Sequence, residues 1–190
     1  MRFSSAALGA LFISLTALSS STLGQTPTTP EKTDVRLNRV IELMEKGQPA
    51  FGIFSQNLST RTAASVSSSG LDFVIIDLEH SPFDLSRLET YLLGMVDRRQ
   101  ILKKGNLQPN VMPLVRVPSA GREHLLFVIK QVLDLGPFGL VIPHVDNAED
   151  TLAAIRACRF SQLRNVADYE PAGLRGVGCG GVSGDDRPVR

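Results

Sequence analysis

The sequence predicts an α/β protein built on a parallel sheet, and three observations carry that expectation. Apolar runs of four to seven residues alternate with stretches of helical period, glycines close several of the helical stretches, and charged or histidine side chains collect just beyond the apolar runs. Strict alternation of this kind requires right-handed crossovers. It leads either to an open doubly wound sheet or to part of an eight-stranded barrel.

The elements follow in order. Residues 35–46 carry Leu37, Val40, Ile41 and Met44 at helical spacing before Gly47, a helix suited to closing the bottom of a barrel. Residues 50–54 read as the first strand and 58–69 as a helix ended by Gly70. Residues 71–77 are the second strand: Phe73, Val74, Ile75 and Ile76 stand in series, as in a strand covered on both faces. Its helix spans 85–96. Residues 112–117 form the third strand, 122–135 a helix closed by Gly136, 139–142 the fourth strand and 148–159 its helix. No glycine-rich dinucleotide fingerprint follows the first strand, where FGIFSQNLS stands, so a nucleotide-binding sheet is the weaker choice. Residues 161–190 contain GLRGVGCGGVSGDD and show no period, which marks an active-site loop or a disordered tail.

Composition narrows the function. The 190 residues, 43% hydrophobic and 21% charged, suit one domain around one core. A net charge of +1, no Trp and two Tyr supply neither a basic surface nor stacking platforms, so no nucleic-acid partner is expected. At the N-terminus Met1 and Arg2 precede an apolar run over 6–18 and a small polar stretch, the pattern of a secretory signal peptide over 1–24. A linker over 25–34 follows. The reading implies export, with no membrane span after processing, because the run is too short to cross a bilayer. An uncleaved anchor and an organelle transit peptide are the competing readings. Cys158 and Cys179, the only cysteines, exclude a disulfide-dense scaffold and a four-cysteine zinc site. They could pair after export, or serve as a small helix residue and a loop thiol.

Candidate chemistry lies at strand ends. Asp77, Glu79 and His80 follow the second strand, Arg116 ends the third, and Pro143-His144 follow the fourth. A histidine beside a carboxylate can act as a general base, and an arginine can hold two oxygens of a carboxylate or enolate in one planar fork. The bland alternative for His80 is a histidine bonded within its loop. Asp134 ends an apolar helix, VIKQVLDLG, where its charge opposes the helix dipole. It either bonds the nearby backbone or finds a cationic partner, for which a protonated His80 is suitable. Arg175 in GLRGVG either binds an anion or braces a loop. His124 is expected at the surface, and His144 either lines the barrel mouth or covers it.

The series FGIF, GLDFVIIDLEHSPFD, PLVRVP, IKQVLDLGPFGLVIPHVDNAEDTLAAIRACRF and PAGLRGVG resembles, in that order, the HpcH/HpaI aldolase and citrate lyase family, in its class II pyruvate aldolase branch. The likeness runs from about Phe51 to Gly178. It implies a (β/α)8 TIM barrel, present here as a partial barrel of about the first four β/α units over residues 35–160. It also implies a carbon-carbon lyase that uses a divalent metal, Mg or Mn, to cleave 4-hydroxy-2-oxo acids to pyruvate and an aldehyde. By the same likeness His80 and Asp134 form an acid/base dyad and Arg116 stabilises the enolate. Glu79 is turned toward metal-bound water, and Asp77 and Arg175 are placed near the substrate. Relatives form oligomers, so a homo-oligomer is expected, with a small 2-oxo acid as the partner.

The departures matter as much. The family's metal ligands, a Glu in an I-E-T stretch and an Asp in a G-P-x-D-L stretch, do not occur, so the resemblance gives no metal ligand in this chain and suggests a truncated, inactive product. SQLRNVADYE is inserted between Phe160 and Pro171, and residues 97–110 run longer than in relatives, which bears on the entrance or on oligomer contacts. A non-catalytic half-barrel, acting as a binding or assembly module, is the alternative.

Overall fold

The computed structural model describes residues 35–119 and 126–176. Four strands, β1 (Gly52–Ser55), β2 (Phe73–Asp77), β3 (Met112–Arg116) and β4 (Gly139–Val141), lie in the order of the chain. Every neighbouring pair is parallel. The helices are α1 (Arg39–Glu45), α2 (Thr60–Ser67), α3 (Leu85–Gly94), α4 (Arg98–Lys104), α5 (Leu126–Asp134) and α6 (Ala148–Cys158).

Local chemistry sets where the helices begin. The expected helix over 35–46 starts only at Arg39, because the Asn38 side chain accepts from the N–H groups of Val40 and Ile41. Ser59 caps α2 through the N–H of Thr62, and Asp84 caps α3 through that of Arg87. Helix α4 is absent from the sequence reading, which saw only a long connection over 97–110. Its seven residues, RRQILKK, are too basic and too short to show an apolar stripe. Its ends are nevertheless well marked: Asp97 caps the start, and Gly105 closes it at a φ of 69°, a left-handed conformation that glycine adopts without a Cβ clash. The expected helix over 122–135 is described from Leu126 onward, and His124 and Cys179 lie outside the described residues.

The core forms between the sheet and the helices that cover one of its faces. Val74 and Ile76 of β2 and Val115 of β3 are buried with Ala63, Val66, Leu88, Tyr91, Val128 and Val132. Since side chains alternate along a strand, Phe73, Ile75 and Asp77 point to the other face, as do Met112, Leu114 and Arg116 through the register that pairs Asp77 with Arg116. Small residues fit that second face. A Cβ at Gly52 would lie 2.3 Å from the Phe73 ring, and one at Gly139 would lie 2.8 Å from Leu114. Helix α1 is tied to the N-terminal ends of the strands: Asn38 donates to the Phe138 carbonyl and Arg39 to Asp72, at 3.0 and 2.9 Å.

Candidate active site at the C-terminal ends of the strands

The C-terminal ends of β2 and β3 bring four of the expected residues together. Asp77 is buried with its carboxylate fully engaged. Arg116 donates from Nε to Oδ1 at 3.0 Å and from Nη2 to Oδ2 at 2.7 Å, a planar fork meeting a planar carboxylate. Gln56 donates to Oδ2 at 3.1 Å, and the N–H groups of Glu79 and His80 donate to Oδ1 at 3.0 and 3.3 Å. These two bonds fold the chain sharply after β2 and so set the direction of the loop. The Ser81 hydroxyl bonds the Asp77 carbonyl in the same turn. The Arg116 guanidinium, more than any other group, holds the Asp77 carboxyl well below the usual carboxylate range; the bonds from Gln56, His80 and Glu79 add to it, while burial opposes them. The same contact raises the pKa of Arg116.

Glu79 collects what remains. Arg116 Nη1 lies 3.2 Å from its Oε2 and His80 Nε2 lies 3.4 Å from the same oxygen, while His144 Nε2 stands 3.8 Å from Oε1. Asp77 and Glu79 therefore converge on one guanidinium. The carboxylate of Glu79 is 8% exposed, whereas His80 and His144 are 64% and 73% exposed. Buried anions thus sit beneath two accessible imidazoles. His144 holds a positive φ of 54°, uncommon for a residue with a Cβ. Phe54 backs the arginine, its ring centroid 4.8 Å from Cζ.

Asp134 is elsewhere. It ends α5, which runs back from the C-terminal to the N-terminal side of the sheet, and it shares a cleft with Pro113 and Phe138 near the starts of β3 and β4. The expected contact with His80 is not formed within the chain: the two lie at opposite ends of the sheet, as the direction of a β/α crossover requires. The partner of Asp134 is Arg175, at 2.8 Å. Arg175 also stacks on Phe160 with its Cζ 4.3 Å from the ring centroid and pairs with it in a short parallel bridge. Of the two roles open for Arg175, bracing a loop is the one its contacts support. Gln56, Phe54 and the contact from His144 escaped the sequence reading. A search of the residues just after β1, the same rule that found Asp77, would have flagged Gln56.

The described residues do not fit a divalent metal. A hard cation needs several free oxygen donors. Both oxygens of Asp77 are taken by donors, and Glu79 is shared among a guanidinium and two imidazoles. Among the described residues no group of three or more Asp, Glu, His or Cys side chains is placed to hold a metal.

Comparison with known proteins agrees with this architecture. The model of the HpcH/HpaI aldolase/citrate lyase family matches residues 50–168. The hydroxypyruvate/pyruvate aldolase of Roseobacter denitrificans is 31% identical over 75% of this chain and 46% of its own length. The 4-hydroxy-2-oxovalerate aldolase of Rhodococcus jostii is 32% identical with the same coverage. A solved HpcH/HpaI aldolase/citrate lyase family protein from Burkholderia cenocepacia superposes with a TM-score of 0.59 at 25% identity, covering 74% of this chain and 48% of that one. The chain therefore spans about half the length of the relatives it matches.

Proposed function

The chain belongs to the HpcH/HpaI aldolase/citrate lyase family, and from that premise we propose that its C-terminal-end cluster serves carbon-carbon bond cleavage in a 4-hydroxy-2-oxo acid, giving pyruvate and an aldehyde. One observation carries the reading. Arg116 is held by Asp77 and backed by Phe54 at the strand ends, where parallel barrels keep their reacting groups, with Glu79 and His80 beside it.

In this reading Asp77 aims Arg116, and the Nη1 side of the guanidinium turns from Glu79 to the oxygens of the 2-oxo acid. His80, the accessible imidazole, takes the proton of the C4 hydroxyl. The C3–C4 bond then breaks, its electrons pass into the 2-oxo acid as the enolate, and the aldehyde departs. Return of a proton to C3 gives pyruvate. Arg116 stabilises the charge that develops on the enolate oxygen.

The test is a coupled pyruvate-release assay on a panel of 4-hydroxy-2-oxo acids, with and without manganese, on the protein at its full expressed length. Release that disappears in Arg116→Ala supports the proposal, and release unchanged by that substitution sinks it. The complete engagement of Asp77 favours a second reading, a binding module without turnover. That reading expects the 2-oxo acid to bind, by calorimetry, with no pyruvate formed.

A further inference from the structure

The connection over 97–110 builds a cleft that the chemistry above does not use. It lies at the N-terminal side of the sheet, between the end of α3, helix α4 and the turn from α5 into β4, with a volume of about 390 Å³. That is within the size range of small-molecule sites. Its walls are mainly apolar, with Leu92, Val96, Ile101, Leu107 and Phe138 among them. Charge on the wall is asymmetric. Asp97 is occupied capping α4 through the N–H groups of Arg99 and Gln100, Asp134 is paired with Arg175, and Glu89 is exposed. Lys104 is half-buried and has no ion-pair partner among the described residues; its ammonium donates to the Gln108 carbonyl. Burial, followed by the nearby positive charge of Arg39, lowers its pKa, with Asp97 acting in the opposite sense. A desolvated ammonium gains from an anion placed against it.

We propose that this cleft binds an amphipathic carboxylate, its apolar body between α3 and α4 and its carboxylate on Lys104. The Gln108 side chain, itself on the cleft wall, donates to the Arg36 carbonyl at 2.6 Å and to Glu42 of α1 at 2.7 Å, which ties that wall to α1 and the residues before it. The site is separate from the cluster at the C-terminal ends and stands or falls independently of the proposed activity.

Calorimetric titration of the 190-residue chain with decanoate, decanol and decyltrimethylammonium tests this. Decanoate should bind at one site per chain and at least tenfold more tightly than either of the other two. Lys104→Gln should weaken decanoate about tenfold and leave decanol unchanged, since only the charged bond is removed. Val96→Trp should fill the cleft and abolish saturable decanoate binding, with circular dichroism confirming that both variants fold. Absence of saturable decanoate binding, equal affinity for the three probes, or retention of decanoate affinity in Lys104→Gln would each overturn the proposal. So would binding undiminished by Val96→Trp, which would place the ligand on another apolar surface.

Discussion

Asp77 and Arg116 stand opposite one another in the register of β2 and β3 and meet through both carboxylate oxygens and two guanidinium nitrogens, at 3.0 and 2.7 Å. The pair joins the two central strands at the end where Glu79, His80 and His144 gather. It therefore serves both as a clasp in the fold and as the device that aims the arginine.

Removing one partner of this pair should be costly. Asp77→Asn leaves Arg116, 20% exposed, facing a neutral amide, and breaking a buried ion pair from one side typically destabilises by about 3 kcal/mol or more. His80→Ala, at an exposed position, should change stability by less than about 0.5 kcal/mol. Urea unfolding of both variants measures the difference. Equal midpoints would show that the clasp contributes little to the fold.

The acid limb of stability should carry the signature of Asp77. Its carboxyl titrates lower in the folded chain than in the unfolded one, so at mildly acid pH the unfolded chain binds more protons. The stabilisation is complete above the unfolded carboxylate pKa of about 4 and is lost as pH falls further below it. The stability gap between the parent protein and Asp77→Asn should therefore be constant from about pH 6 to 8 and narrow below about pH 4. Urea midpoints taken across that range check the sign, and a gap that widens in acid would contradict it.

The pair at the other end of the sheet makes a different prediction. Asp134 is 48% exposed and Arg175 14%, so their ion pair is partly screened and should contribute no more than about 1 kcal/mol. What it does is local: with the Phe160 contact it pins the returning segment, where Arg175 donates its N–H to the Arg159 carbonyl. Asp134→Asn should speed amide exchange in residues 160–176 and leave pyruvate release close to that of the parent. A hundredfold fall in turnover with unchanged exchange would return Asp134 to the catalytic set.

Much of this arrangement was legible in the sequence. The order of β1 to β4, and the placing of Asp77, Glu79, His80 and Arg116 at strand ends, followed from apolar runs and from the rule that parallel strands present chemistry at one end. The separation of His80 from Asp134 was not legible, because a resemblance transfers residue types and says nothing of distance, and the direction of α5 places Asp134 on the far side. Helix α4 was missed because its sequence carries charge where an apolar stripe would have announced a helix. Gln56 stands just after β1, where the strand-end rule points, but the contact of Phe54 with Arg116 is created by strand register and not by any local pattern.

Metal titration probes the donor set directly. Because Arg116, Gln56 and two backbone N–H groups saturate Asp77, calorimetry of the 190-residue chain with manganese should show no micromolar binding. Arg116→Ala removes one donor from each oxygen of Asp77, leaving the Gln56 and backbone bonds, and keeps Glu79 nearby, so any weak binding should increase in that variant. Tight binding by the parent chain would mean that donors outside the described residues complete a site.

Arg116→Lys separates aiming from charge. A lysine keeps the positive charge but offers one ammonium in place of a planar fork, so it can meet one oxygen of Asp77 and cannot at the same time present a fixed donor to a substrate oxygen. If Arg116 stabilises an enolate oxygen, the loss falls on the transition state, and the turnover number should drop on the order of a hundredfold while KM moves little. His80→Ala should likewise act mainly on turnover, on the order of a hundredfold or more, as loss of a general base does. Asp77→Asn should produce a partial loss, because the arginine is retained but no longer aimed. The ranking distinguishes the roles: a raised KM with normal turnover in Arg116→Lys would show that the guanidinium binds ground state and transition state alike, and that the stabilisation of the enolate resides in other groups.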